Sequence, residues 1–237
     1  MTKIVGSGSR DDINLVKGEE YIFVNTSHTR IKPKQEKIKF LFLSHGLLLT
    51  ENEIKSLKPI PGKSKSEATS LRLKRVKCQN NLSVDNLYCI TPLARNEVVK
   101  RIATLNIKYQ KLTLIRDWRI YLMLIVFLKT ESIFMFFDKK VSLPDKLKVF
   151  ATFFPFLRIK PSTALRPSSG MIAFLWAYSK PKIFKFENLV LNGVTGDLMW
   201  GANLNYELKR KELREVHCID KRILKRLIRM KSHNTQS

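Results

Sequence analysis

The chain has 237 residues, 44% of them apolar, and 44 Lys and Arg against 20 Asp and Glu give a formal net charge of +24. That length and apolar share suffice for one domain with a buried core and exclude a wholly disordered chain. A cationic surplus of this size implies a polyanionic partner, either nucleic acid or an anionic membrane surface.

Cys78, Cys89 and Cys218 are an odd number without paired spacing, which argues against a disulfide framework or a zinc site and for a reducing compartment. The opening MTKIVGSGSRDD has neither the apolar core of a signal peptide nor the pattern of a transit peptide, so a cytosolic start is expected. Residues 1–18 read as a flexible leader. The GSGS at positions 6–9 is not followed by Gly-Lys-Ser/Thr and reads as tail rather than as a phosphate loop.

Glu19–Val24 and Lys37–Leu43 read as strands, and Thr50–Ile54 as one helical turn with Thr50 as N-cap and Glu53 completing a capping box. A Pro/Gly/Lys/Ser-rich loop runs from Pro59 to Ser70. Leu71–Cys78 (LRLKRVKC) reads as a strand with a basic face of Arg72, Lys74, Arg75 and Lys77, suited to phosphate contacts or serving as a charged, solvated edge. Pro92–Thr104 is predicted helical. Leu105–Leu114 is predicted to be a strand whose change of alternation implies a bulge near Gln110 or Lys111.

Ile120–Leu128 and Ile133–Phe137 are the longest apolar runs and read as buried strands joined by a hairpin loop at Lys129–Ser132. A membrane span over the same residues would hold Lys129 and Glu131 near mid-bilayer at about 2.5–3.5 kcal/mol each, so two strands are the better reading. Asp145–Phe154 is predicted helical, 156–170 a basic loop with Arg158, Lys160 and Arg166, and Met171–Tyr178 a core helix or strand. Ile183–Phe186 and Leu189–Leu191 are strand candidates. Glu207–Lys231 reads as a basic amphipathic helix carrying Lys209, Arg210, Lys211, Lys221, Arg222, Lys225, Arg226 and Arg229, for nucleic acid, a membrane surface or nuclear import.

The fold class these readings add up to is mainly β (α+β): an antiparallel β core over 19–206 with a few short helices, and a basic helical tail over 207–237. No catalytic fingerprint occurs. The four histidines are scattered, and His217 and Cys218, about 100° apart on a helix, make a poor ligand pair. Acidic pairs such as Asp11-Asp12, Glu19-Glu20 and Asp117 with Asp138 have only composition to recommend them for metal-dependent work. No enzyme activity, cofactor or metal is expected.

SIFMFFDKK, ending a hydrophobic run in Asp138 with Lys139 and Lys140 behind it and Gly193 or Gly196 downstream, resembles the signature region of the thirty-kilodalton superfamily of plant-virus movement proteins. The resemblance implies cell-to-cell transport of a viral genome at plasmodesmata. Its partners would be single-stranded nucleic acid, RNA in the first instance, or a nucleocapsid, together with anionic membrane, host plasmodesmal proteins and further copies of the chain. It implies a location in host cytoplasm, on membranes and at cell junctions, with the nucleus open to it through the basic tail. Trp118, Trp176 and Trp200 would stack on bases or lie in the core. The alternatives are a matrix-type structural protein of an enveloped virus, bridging nucleocapsid and membrane, and an RNA-scaffold protein of ribosomal type.

Overall fold

From residue 51 onward helices separate the strands, while the first three sheet strands follow one another without an α-helix among the described residues; all of them join one parallel sheet. The computed structural model describes residues 1–6, 13–32, 37–59, 63–132, 142–154, 166–192 and 218–234. Strands β1 (Thr2–Val5), β3 (Glu20–Val24), β5 (Ile38–Ser44), β6 (Ser83–Ile90), β7 (Lys108–Ile115) and β8 (Leu189–Asn192) form one six-stranded sheet in the order β7-β6-β5-β3-β1-β8. Every neighbouring pair in it is parallel. A two-residue parallel pair, β2 (Ile13–Asn14) and β4 (Ile31–Lys32), stands apart from it.

This overturns the expected antiparallel β core: the protein is α/β. The reason lies in which faces the strands bury. In β5, Phe40 and Phe42 point into one hydrophobic cluster while Leu41 and Leu43 point into the other. A strand covered on both faces reads as a near-continuous apolar run, the pattern of parallel sheets.

The first cluster lies under four helices, α4 (Asp117–Leu128), α5 (Leu143–Ala151), α6 (Ser169–Tyr178) and α7 (Cys218–Asn234). The second is covered by α3 (Arg95–Thr104), with Val76 of α2 (Lys65–Lys77) packed on its margin. The short α1 (Glu51–Ser56) has the predicted capping box at Thr50 and Glu53. Glu53 also binds Arg101 of α3 through both carboxylate oxygens, at 2.8 and 2.9 Å. Helix α6 is buried along almost its whole length because it lies on β1, β3 and β5. Its Trp176 meets the rings of Phe42 at 5.3 Å and Tyr88 at 4.5 Å, so Trp176 belongs to the core.

Several other expectations change. Residues 71–77 are helical, with Cys78 as C-cap, because Ser64 and Glu67 form a capping box that starts α2 upstream of them. Ile120–Leu128 is helical too: Ile120, Tyr121, Leu124, Phe127 and Leu128 are buried at helical spacing, and Lys129–Ser132 continues as a 3-10 turn instead of a hairpin loop. Register between β6 and β7 runs unbroken from Ser83↔Lys108 to Ile90↔Ile115, without a bulge. Ile183 lies in a turn, and Phe186 opens a 3-10 helix, so 183–186 is no strand. Thr2–Val5, expected to be leader, is an inner strand with Ile4 and Val5 fully buried. Ile133–Phe137 lies outside the described residues. Among the described residues no helix is long and apolar enough to cross a membrane.

Candidate functional site at the carboxyl rim

In an open parallel sheet every strand delivers its C-terminal end to one edge, and ligands bind outside that edge, next to the point where strand order reverses. Here the chain steps from β1 through β3, β5 and β6 to β7, then returns to lay β8 on the far side of β1. The reversal therefore falls between β1 and β8, where the Gly6 amide donates to the Asn192 carbonyl at 2.7 Å. Five spacings of about 4.8 Å make the rim about 24 Å long.

Except for β1, which runs into Gly6, each strand of the sheet ends there in a polar residue. Asn25 follows β3 in the left-handed region (φ 57°), which Asn tolerates. Its Oδ1 accepts from the Ser44 amide at 2.9 Å and so ties the end of β3 to that of β5. His45 follows β5, and its Nδ1 lies 3.0 Å from Thr91 Oγ1, just beyond β6. Burial, and secondly the Arg101 charge, hold the His45 imidazole below its ordinary pKa. It is therefore neutral at pH 7, with Nδ1 occupied at Thr91. Arg116, after β7, donates to the carbonyls of Thr91 and Leu93 and stiffens this corner.

Asp117 opens α4 at the same corner. Its Oδ1 approaches Arg166 Nε at 3.2 Å, yet neither atom has a hydrogen-bond partner among the described residues, and Tyr121 Oη one turn along is also buried without one. Burial pushes the Asp117 carboxyl up against the pull of Arg166 and Arg116, and pushes the Tyr121 phenol up as well. A buried hydroxyl without a partner costs about 1–3 kcal/mol, so Tyr121 Oη beside the Asp117–Arg166 ion pair leaves room for a further polar group. Arg166 leads directly into α6, whose N-cap Ser168 accepts from the Met171 amide, while the Ser168 amide donates to the fully buried Asp220 of α7 at 2.9 Å. The first-turn amides of a helix such as α6 lack intrahelical acceptors and attract anions. The corner thus combines a neutral imidazole, a guanidinium, a carboxyl group held toward its protonated form and a helix N-terminus. Among the described residues no cluster of His, Cys, Asp and Glu is arranged to hold a metal.

The residues singled out from sequence scatter. Arg166 alone reaches this corner. Arg72, Lys74, Arg75 and Lys77 sit on α2, where Lys74 and Lys77 line an open groove of about 960 Å³ with Lys55 and Lys65, while Arg72 donates to the Lys58 carbonyl. Lys221, Arg222, Lys225, Arg226 and Arg229 lie on α7; Arg226 donates to the Leu128 carbonyl at 3.2 Å and docks that helix on α4. Asp138, Arg158, Lys160, Gly193, Gly196, Lys209, Arg210, Lys211 and Trp200 lie outside the described residues. Sequence reading missed His45, Thr91, Tyr121 and Asp220 and noted Asp117 only in an acidic pair. In sequence these positions share only that a polar residue stands one or two places after an apolar run: Asn25, His45, Thr91, Asp117 and Asn192.

Fold and rim together define an α/β protein with an open parallel sheet and a polar corner at its carboxyl edge. No protein-family model matches the chain, and neither the curated proteins nor the solved structures contain a significant match to it.

Proposed function

We propose that the protein is a group-transfer enzyme acting on a nucleotide-activated donor, of the nucleotide-sugar kind, bound along the carboxyl rim. The observation that carries this reading is the buried, unpartnered Tyr121 hydroxyl beside the Asp117–Arg166 ion pair at the N-terminus of α6. Arg166 and the α6 amides suit the donor phosphate, whose negative charge grows as it leaves. His45, neutral and held at Nδ1, offers Nε2 as acceptor for the proton of an attacking hydroxyl. Against a dinucleotide, β3 ends in Asn25 where that fold places a ribose-binding carboxylate, and the run after β1 has Asp11 in place of the third glycine.

The movement-protein reading drew on charge, on a β core and on the resemblance at Asp138, and its matrix and RNA-scaffold alternatives on charge. The parallel sheet withdraws the β core, and Asp138 lies outside the described residues. Nucleic-acid contact keeps one observation of its own, the four-lysine groove along α2, and stands as a second reading. There, affinity for single-stranded RNA would fall with salt at a log-log slope of about −0.7 per phosphate neutralised, and Lys74→Glu with Lys77→Glu would abolish it.

Calorimetric titration with uridine diphosphate, guanosine diphosphate and cytidine monophosphate tests the first reading. One of them should bind, and Arg166→Ala should weaken it at least tenfold. His45→Gln should leave nucleotide affinity unchanged while abolishing transfer or hydrolysis of the matching nucleotide sugar. His217, next in sequence before α7 and outside the described residues, is the other histidine to replace in that assay. Absence of binding for all three nucleotides at millimolar concentration overturns the reading.

A further inference from the structure

Helices α4 and α5 belong to one layer: Val149 shares the buried cluster with Ile120, Tyr121 and Leu124, and the Tyr121 ring lies 6.5 Å from that of Phe153. Each helix also carries a second apolar stripe on its outward side. On α4, Leu122 and Val126 are 48% and 57% exposed, and Trp118, one turn before them, stacks under the Arg119 guanidinium at 5.1 Å. On α5, Leu143 and Leu147 are 68% and 58% exposed, one turn apart. Single exposed leucines need no explanation, but two neighbouring helices with outward apolar stripes at i, i+4 spacing do.

We propose that this α4–α5 face docks the protein onto the surface of an anionic lipid bilayer, lying in the headgroup region without spanning it. Charge complementarity selects the occupant. A chain of net charge +24 repels a second copy of itself and is drawn to an anionic surface. Cations stand on the same two helices: Arg119 on α4 and Lys146 on α5. The carboxylates on the two helices are turned to partners, Asp117 to Arg166, and Asp145 to Ser142 and Lys148. A Trp beside an Arg at the edge of an apolar face suits the boundary between water and acyl chains. The surface is independent of the rim chemistry, and its failure would leave the donor site untouched.

Flotation of the full chain with vesicles tests the proposal. The protein should float with phosphatidylcholine vesicles containing 30% phosphatidylserine and stay behind with pure phosphatidylcholine. Leu143→Glu with Leu147→Glu should weaken anionic vesicle binding at least tenfold at an unchanged melting temperature. Leu122→Ser with Val126→Ser, milder and on the other helix, should do the same to a smaller extent. Two results overturn the proposal: binding that both pairs leave intact, or a concentration-dependent dimer in analytical ultracentrifugation that the same substitutions dissolve, which would make a second copy the occupant.

Discussion

Removing residues 1–6 should unfold the protein, although they look like the least structured stretch of the sequence. They carry β1, an inner strand paired with β3 on one side and β8 on the other. Ile4 and Val5 are fully buried, one in each hydrophobic cluster, and burying each contributes about 1.5–3 kcal/mol. Ladder hydrogen bonds to two neighbours add about 1 kcal/mol each. The loss is on the order of 5–10 kcal/mol, comparable with the whole stability of a domain. The graded version is Ile4→Ala, expected to cost about 2–5 kcal/mol. With an m-value of about 2 kcal/mol/M, that lowers the urea midpoint by about 1–2.5 M in circular-dichroism unfolding. Val16→Ala is the control: Val16 lies in the same N-terminal stretch but is half exposed, and should shift stability by about 0.5 kcal/mol or less. A truncated chain that keeps the full-length midpoint and slope would refute the placement of β1.

Trp176→Ala, which empties the ring cluster among Phe40, Phe42, Tyr88 and Phe184, should cost about 3–5 kcal/mol in the same assay. His45 has a folded pKa below the unfolded 6.5, so the unfolded chain binds the extra proton first. Its contribution to stability is complete above pH 6.5 and declines as pH falls from there toward the folded pKa, and His45→Gln should flatten that part of a stability-against-pH curve. Glu53 is held at about 2 by Arg101 and the Thr50 amide, so its contribution is present above pH 4.5 and lost as pH falls toward 2. Because its side chain is partly exposed, Glu53→Gln should cost about 1 kcal/mol or less at pH 7 and little at pH 2, read from urea midpoints at the two pH values.

Strand positions were legible at EYIFV and KIKFLFL, where short apolar runs stand between polar punctuation, but the same rule misread 71–78 and 183–186. Pairing direction was not legible, because a parallel strand and a hairpin strand look alike until the intervening helices are recognised. Two such helices were hidden for different reasons. In DWRIYLMLIVFL nearly every side chain is apolar, so no period separates helix from strand, and the β-branched residues tilt the reading the wrong way. In KSEATSLRLKRVK the Ser64–Glu67 capping box was the decisive local signal, lying inside what read as loop. The rim could not be read at all before the sheet direction was known. Asn25, His45, Thr91 and Asp117 are far apart in sequence and become neighbours only because four parallel strands end together.

The strand order also sets a timetable for synthesis. β1 can pair with β3 within two dozen residues of its own synthesis, but its other edge must wait for β8, more than 180 residues later. At about 5–20 residues per second that edge stays open for about 10–40 s, with its hydrogen-bonding groups unclaimed. An inner strand of the finished sheet is thus an edge strand for most of translation. The nascent chain, more than the folded protein, is where an aggregation-suppressing chaperone would have its effect.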